Sequence, residues 1–184
     1  MRINELTGIK HQVAKLTPGA GHEEWQELLG KQGFVPVGHG LSAQVYMHPK
    51  LPYVLKVFTV EDKAYPYWVN VCKTHLLGNP YVPSFRGNLV RINADASAVR
   101  MERLSPANNE QKQLARDLQR AIIESRRNGT DWRTHPLVKD KTLDEQLVEA
   151  VNYINKGSLK HALDLKGANV MNRNGQLVFT DPLA

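Results

Sequence analysis

Three oxygen-bearing side chains near the end of the 184-residue chain have a spacing that suits cation-assisted chemistry. Asp164 and Asn169 bracket the polar run Asp164-Leu165-Lys166-Gly167-Ala168-Asn169, and Asp181 comes later. Between them, Val170-Met171 and Leu177-Val178-Phe179 are apolar runs on either side of Asn174-Gly175, a pair that suits a two-residue type I′ turn. A hairpin folded there returns Asp181 to the neighbourhood of Asn169. A carboxylate and an amide oxygen can then share a cation, with the second carboxylate beside them; Mg²⁺ takes such hard oxygen donors and completes its shell with water and phosphate oxygens. The same residues also read as a polar loop ahead of a surface hairpin, without chemistry.

Helices must carry this loop. Thr142 with Glu145 reads as a capping box. Leu143, Leu147, Ala150, Val151 and Ile154 follow at helical spacing, and Gly157 suits the end. Residues 108–127 read as another helix, with Asn108 and Gln111 as a capping pair and Leu114, Leu118, Ala121 and Ile122 as its apolar face. Arg116, Arg120, Arg126, Arg127 and Arg133 make this the most basic region, either a nucleic-acid surface or a solvated helix face. Asn128-Gly129 and His135-Pro136 mark the loop beyond it. Residues 65–77 suit a third helix, with Pro66 in its first turn, a face of Trp68, Val71, Cys72 and Leu76, and Gly78 at its end.

The earlier part reads as β structure. Residues 34–58 contain Gly38-His39-Gly40-Leu41-Ser42-Ala43, with glycines at the first two positions of a G-x-G-x-x-G pattern. Glycine lets a backbone approach phosphates closely, yet Gly-rich hairpins are common. A dinucleotide fold is disfavoured, because strand-like sequence and not a helix follows these glycines. Tyr53-Val54-Leu55-Lys56-Val57-Phe58 is a strand-like run with one lysine, which either faces water or is buried and paired. Residues 89–92 and 98–104 suit a pair of strands. Residues 1–33 read as an N-terminal extension, with a turn at Thr17-Pro18-Gly19 and a short helix over 22–29 in which Trp25, Leu28 and Leu29 share a face.

Asp164 to Asn169 resembles the catalytic loop of the protein kinase-like superfamily, and Asp181 falls where that family has its second metal-binding aspartate. The resemblance implies a two-lobed α+β fold, with a β-rich N-lobe over about 34–104 and a reduced helical C-lobe over about 105–184. It implies ATP and Mg²⁺ as cofactors, Asp164 as catalytic base, and Asn169 and Asp181 as metal ligands. Lys166 matches the loop lysine that Ser/Thr kinases carry near the transferred phosphate. Lys56 matches the strand lysine on the nucleotide phosphates, below the Gly38 and Gly40 hairpin. Met101-Glu102-Arg103-Leu104 resembles the hinge whose backbone meets the adenine ring.

The sequence also departs from that family. No acidic residue occurs from Lys63 to Ala94, so the helix glutamate that pairs with the strand lysine is missing. The family's His-Arg-Asp triplet is Ala162-Leu163-Asp164, and Asp-Phe-Gly is Asp181-Pro182-Leu183. The short Gly-x-Gly hairpin and the Asp-Pro metal site resemble the early Ser/Thr protein kinases of short-tailed lytic bacteriophages, which help shut off host transcription. The expected activity is a Ser/Thr kinase-like phosphotransferase acting on host proteins or itself in the bacterial cytoplasm. The alternative is a pseudokinase that binds nucleotide or protein.

Bulk properties bound these readings. Hydrophobic residues make up 41% and charged residues 23%, enough for a folded core. No apolar run reaches the length of a membrane span, and no signal peptide opens the chain. One cysteine, Cys72, excludes an internal disulfide and suits a reducing compartment. A net charge of +6 favours anionic partners: nucleotide, an acidic protein surface or nucleic acid.

Overall fold

In the computed structural model the described residues are 22–40, 42–59, 61–92 and 96–184; the Thr17-Pro18-Gly19 turn, Leu41 and the side chain of Trp25 lie outside them. The fold is mixed α+β, and the chain divides into two compact units. One comprises residues 1–63 and 85–103, the other 64–84 and 104–184. Residues 64–84, counted above with the β-rich half, thus belong to the second unit.

The first unit is built on an antiparallel five-stranded sheet of order β1-β2-β3-β5-β4. Its strands are β1 (Val35–His39), β2 (Ala43–Met47), β3 (Tyr53–Thr59), β4 (Phe85–Arg91) and β5 (Ala96–Glu102). The apolar run of β3 makes it the central strand, buried from Tyr53 to Phe58. At the edge, β1 is mostly exposed, carries Pro36, and has a register break between Pro36 and Gly38; proline and a bulge are devices that keep an edge from pairing further. Helix α1 (His22–Gly30) covers one face. Leu29 packs with Phe34, Tyr46, Leu55, Val57 and Ala98 in one core. Each such aliphatic or aromatic burial contributes roughly 1.5–3 kcal/mol.

The second unit holds α2 (Ala64–Thr74), α3 (Asn109–Asn128), α4 (Glu145–Gly157) and a small sheet, β6 (Ser105–Pro106), β7 (Val170–Arg173) and β8 (Gln176–Phe179), in the order β6-β7-β8. The face expected on α2 is buried, with Trp68, Val71 and Cys72 in the helix and Leu76 just beyond its end. Helix α3 starts with the expected capping box: Gln111 N–H donates to Asn108 Oδ1 at 2.8 Å, and Asn108 N–H to Gln111 Oε1 at 2.9 Å. It ends at Gly129, in the left-handed region at φ 66°. Leu118, Ala121 and Ile122 are buried, while Leu114 is half-buried.

One expected cap is corrected. Helix α4 starts at Glu145, and Asp144, not Thr142, accepts the Leu147 N–H at 2.8 Å. A carboxylate immediately before the first turn satisfies an open N–H and also faces the positive end of the helix dipole. At the other end, a Cβ on Gly157 would come within 2.7 Å of Leu183 and 2.8 Å of Tyr67, so a larger residue there would have to displace both side chains.

Candidate active site

In the second unit the structure brings Asp164, Asn169 and Asp181 together through the backbone. The hairpin forms as the sequence implies: Asn174 and Gly175 both have positive φ, 51° and 94°, as a type I′ turn requires. Its return places Asn169 O between two donors, Thr180 N–H at 2.9 Å and Asp181 N–H at 3.3 Å. The Asn169 side-chain amide donates to the Asp164 carbonyl at 3.1 Å. Of the two amide atoms only Oδ1 has lone pairs to offer a cation.

The last residues close the loop from the other side. Leu163 and Leu183 form an antiparallel bridge. Ala162 and Ala184 exchange N–H···O bonds of 2.7 and 2.8 Å, and Asp164 N–H donates to Pro182 O at 2.9 Å. Pro182, which has no N–H to offer, thus contributes its carbonyl. Leu165 is fully buried and anchors the loop, and its N–H is bound by Gln119 Oε1 at 2.8 Å. Asp164 itself enters these bonds only through its backbone. Asp164 is half-buried, and its carboxylate has no hydrogen bond or ion pair among the described residues. Lys166 next to it is exposed.

Several residues without a motif of their own hold the hairpin in place. Trp68 of α2 donates its indole N–H to Phe179 O at 3.2 Å. Gln111 of α3 donates to Gly175 O at 2.8 Å and Asn172 Oδ1 at 3.2 Å. The Arg173 guanidinium binds Pro80 O and Val82 O, both at 2.9 Å, and Phe179 N–H donates to Tyr81 O at 2.8 Å. His161, three positions before Asp164, lies beside the Tyr67 ring, centroids 5.4 Å apart.

In the first unit Lys56 is only 6% exposed. Register places it opposite Val45 and Val99 on one face of the sheet, and it does not lack a partner. The buried alternative for this lysine therefore holds. Glu102, opposite Tyr53, directs its side chain to the other face, so only its backbone could share a ligand with Lys56's face. Gly38 lies within β1 and Gly40 just past its end, where the Gly40 N–H donates to Ala43 O at 2.8 Å across the β1–β2 turn. Neither has a positive φ, and a Cβ on either would meet nothing closer than 3.8 Å. The fold does not demand glycine at either place.

The arginine-rich region is largely satisfied by its own neighbours. Arg116 binds Gln113, Arg120 binds Glu124 at 2.8 Å, and Arg133 binds Asp131 at 2.9 Å. The solvated-face reading fits these pairs better than a nucleic-acid surface. His135 also contacts Glu124 at 2.9 Å, and this bond, followed by that of Arg120, holds the Glu124 carboxyl below its usual range.

No group of three His, Cys, Asp or Glu side chains that could hold a metal occurs among the described residues. What the backbone bonds bring to neighbouring positions here is an amide, Asn169, and the carboxylate residues Asp164 and Asp181. No described helix is long and apolar enough to cross a membrane. No protein-family model matches the chain, and no curated protein matches it.

Proposed function

We propose that the chain is a Mg-ATP-dependent, Ser/Thr protein kinase-like phosphotransferase, with a β-rich small lobe and a reduced helical large lobe. In this reading it is phage-encoded and acts in the bacterial cytoplasm on host proteins or on itself. The observation that carries the reading is the backbone-level convergence of Asp164, Asn169 and Asp181. Asn169 Oδ1 and the Asp181 carboxylate would hold Mg²⁺, which neutralises charge on the phosphates. Asp164, with its carboxylate unengaged, takes the proton of the acceptor hydroxyl. Lys166 offers a positive charge toward the transferred phosphoryl group. Lys56 and the open Gly38–Gly40 hairpin are assigned to the nucleotide phosphates, and the backbone around Glu102 to the base.

Phosphate from γ-labelled ATP is followed into the chain itself and into proteins of a bacterial lysate. Mg-dependent transfer is expected; transfer that persists undiminished in Asp164→Ala would sink the proposal. A second reading, a pseudokinase, is favoured by the absence of any acidic residue on α2, which packs through Tyr65, Trp68 and Val69. It predicts that ATP raises the melting temperature while no phosphate moves.

A further inference from the structure

A groove of about 460 Å³ opens in the second unit, lined by the last turns of α3 and α4 and the turn Trp132–Thr134. None of its lining residues belongs to the Asp164 loop, the hairpin or the last residues of the chain. Ile122 and Trp132 supply buried apolar lining, and Leu159, 69% exposed, adds an apolar side chain open to solvent.

The polar groups in it divide cleanly into those already engaged and those left open. Arg126 is committed to the end of α4, bonding Ser158 O at 3.0 Å and Asn155 Oδ1 at 2.7 Å. Arg133 holds Asp131 through both carboxylate oxygens. Trp132 donates its indole N–H to Asn152 Oδ1 at 3.0 Å. The carbonyls at both helix ends have donors: Thr130 N–H reaches Ser125 O at 2.9 Å, and Ser158 N–H reaches Ile154 O at 2.8 Å.

What remains is mostly donors. The Lys156 ammonium has no partner among the described residues, and Asn152 and Asn155 use only their amide oxygens. Ser125 is 2% exposed, and its hydroxyl is buried without any hydrogen-bond partner. With less than 1 Å² of accessible surface, that hydroxyl lies behind the groove wall and offers a ligand no contact. Arg126, Arg133 and Lys156 outnumber Asp131, so the lining is net positive as well as donor-rich.

The geometry points to a docking groove for an acidic segment of a partner protein, whose carboxylate meets Lys156 and the open Asn152 and Asn155 amide donors while an aliphatic side chain rests on Leu159. Nucleic acid fits less well. It asks for a stripe of unengaged cations along a backbone, whereas the arginines in this groove are held by local partners. The inference does not depend on phosphoryl transfer, because no residue is shared with that site.

The test is fluorescence polarisation of the full chain with a labelled alternating Glu-Leu peptide, a Lys-Leu peptide, and a single-stranded oligonucleotide. The Glu-Leu peptide is expected to bind, more weakly as salt rises, and the other two are not. Lys156→Glu and Leu159→Asp alter exposed side chains, so each should keep a wild-type melting curve and lose about tenfold in affinity, equivalent to about 1.4 kcal/mol. Asp181→Asn should bind the peptide as the wild type does. Peptide binding that ignores Lys156→Glu and Leu159→Asp, or that fails in Asp181→Asn, would overturn the assignment. So would binding of the oligonucleotide in the peptide's place.

Discussion

The two regions assigned to chemistry are held in opposite ways. In the second unit, the bonds that fix Asp164, Asn169 and Asp181 are also the bonds that join the loop, the hairpin and the last residues of the chain. In the first unit, the Gly38–Gly40 hairpin is an edge element whose backbone accepts a Cβ at either glycine without a clash. Fold and site are one network in the first case and separable in the second. The difference teaches where a substitution reads out chemistry alone. At the loop it does so only for atoms outside the network, such as the Asp164 carboxylate; at the hairpin it does so for almost any small change.

The largest expected effect sharpens this directly. Asp164→Ala leaves every backbone bond of the loop in place, so the melting temperature should stay near wild type while transfer falls roughly 10²–10⁴-fold, as for loss of a general base. Next comes a change that should damage the network without touching the chemistry. Gln111→Ala removes the donor to Gly175 O and Asn172 together with the acceptor for Asn108 N–H in the α3 cap, and should cost about 1–3 kcal/mol, the range for breaking buried polar links. Denaturant unfolding measures it. If Gln111→Ala were neutral and Asp164→Ala strongly destabilising, the contrast between the carboxylate and the network would be reversed.

Much of this network was legible because its parts are local. Asn174-Gly175 between apolar runs dictates the hairpin, and the hairpin dictates that Asp181 returns to Asn169. The face of α2 and the capping box of α3 follow from periodicity and a four-residue pattern in the same way. What the sequence hid is long-range. Gln119 and Gln111 are ordinary glutamines on a polar helix, and nothing in their spacing says that one binds the Leu165 N–H and the other the hairpin turn. Arg173 binds carbonyls more than ninety positions away. Lys56 was ambiguous for a related reason: strand alternation tells which residues share a face, but not whether both faces of β3 are buried. The assignment of residues 64–84 to the second unit has the same cause, since packing partners distant in sequence decide it.

The hairpin gives a third and smaller effect. Gly38→Ala and Gly40→Ala should leave the unfolding free energy within about 0.5 kcal/mol of wild type, as for surface changes without strain. If the glycines serve close approach of phosphates, ATP affinity should fall about tenfold, the 1.4 kcal/mol step, in a titration of melting temperature against nucleotide. A loss of stability with affinity intact would instead make the hairpin structural and erase the contrast between the regions.

The smallest effect separates the two residues that compete for the cap of α4. Asp144→Ala removes the acceptor for Leu147 N–H and the partner of the Tyr81 hydroxyl, so it should cost about 0.5–2 kcal/mol. Thr142→Ala should be close to neutral. The pH profile checks that Tyr81 and Asp144 act as a pair. Burial first, and then the bond to Asp144, raise the Tyr81 phenol above its ordinary value. A phenol harder to ionise when folded adds stability that is complete below the unfolded tyrosine range, about 10, and declines as pH rises through it. That alkaline decline should be shallower in Asp144→Ala, where one cause of the shift is gone, and unchanged in Thr142→Ala. Equal profiles in both variants would mean that burial alone raises Tyr81, leaving the Leu147 cap as the whole contribution of Asp144.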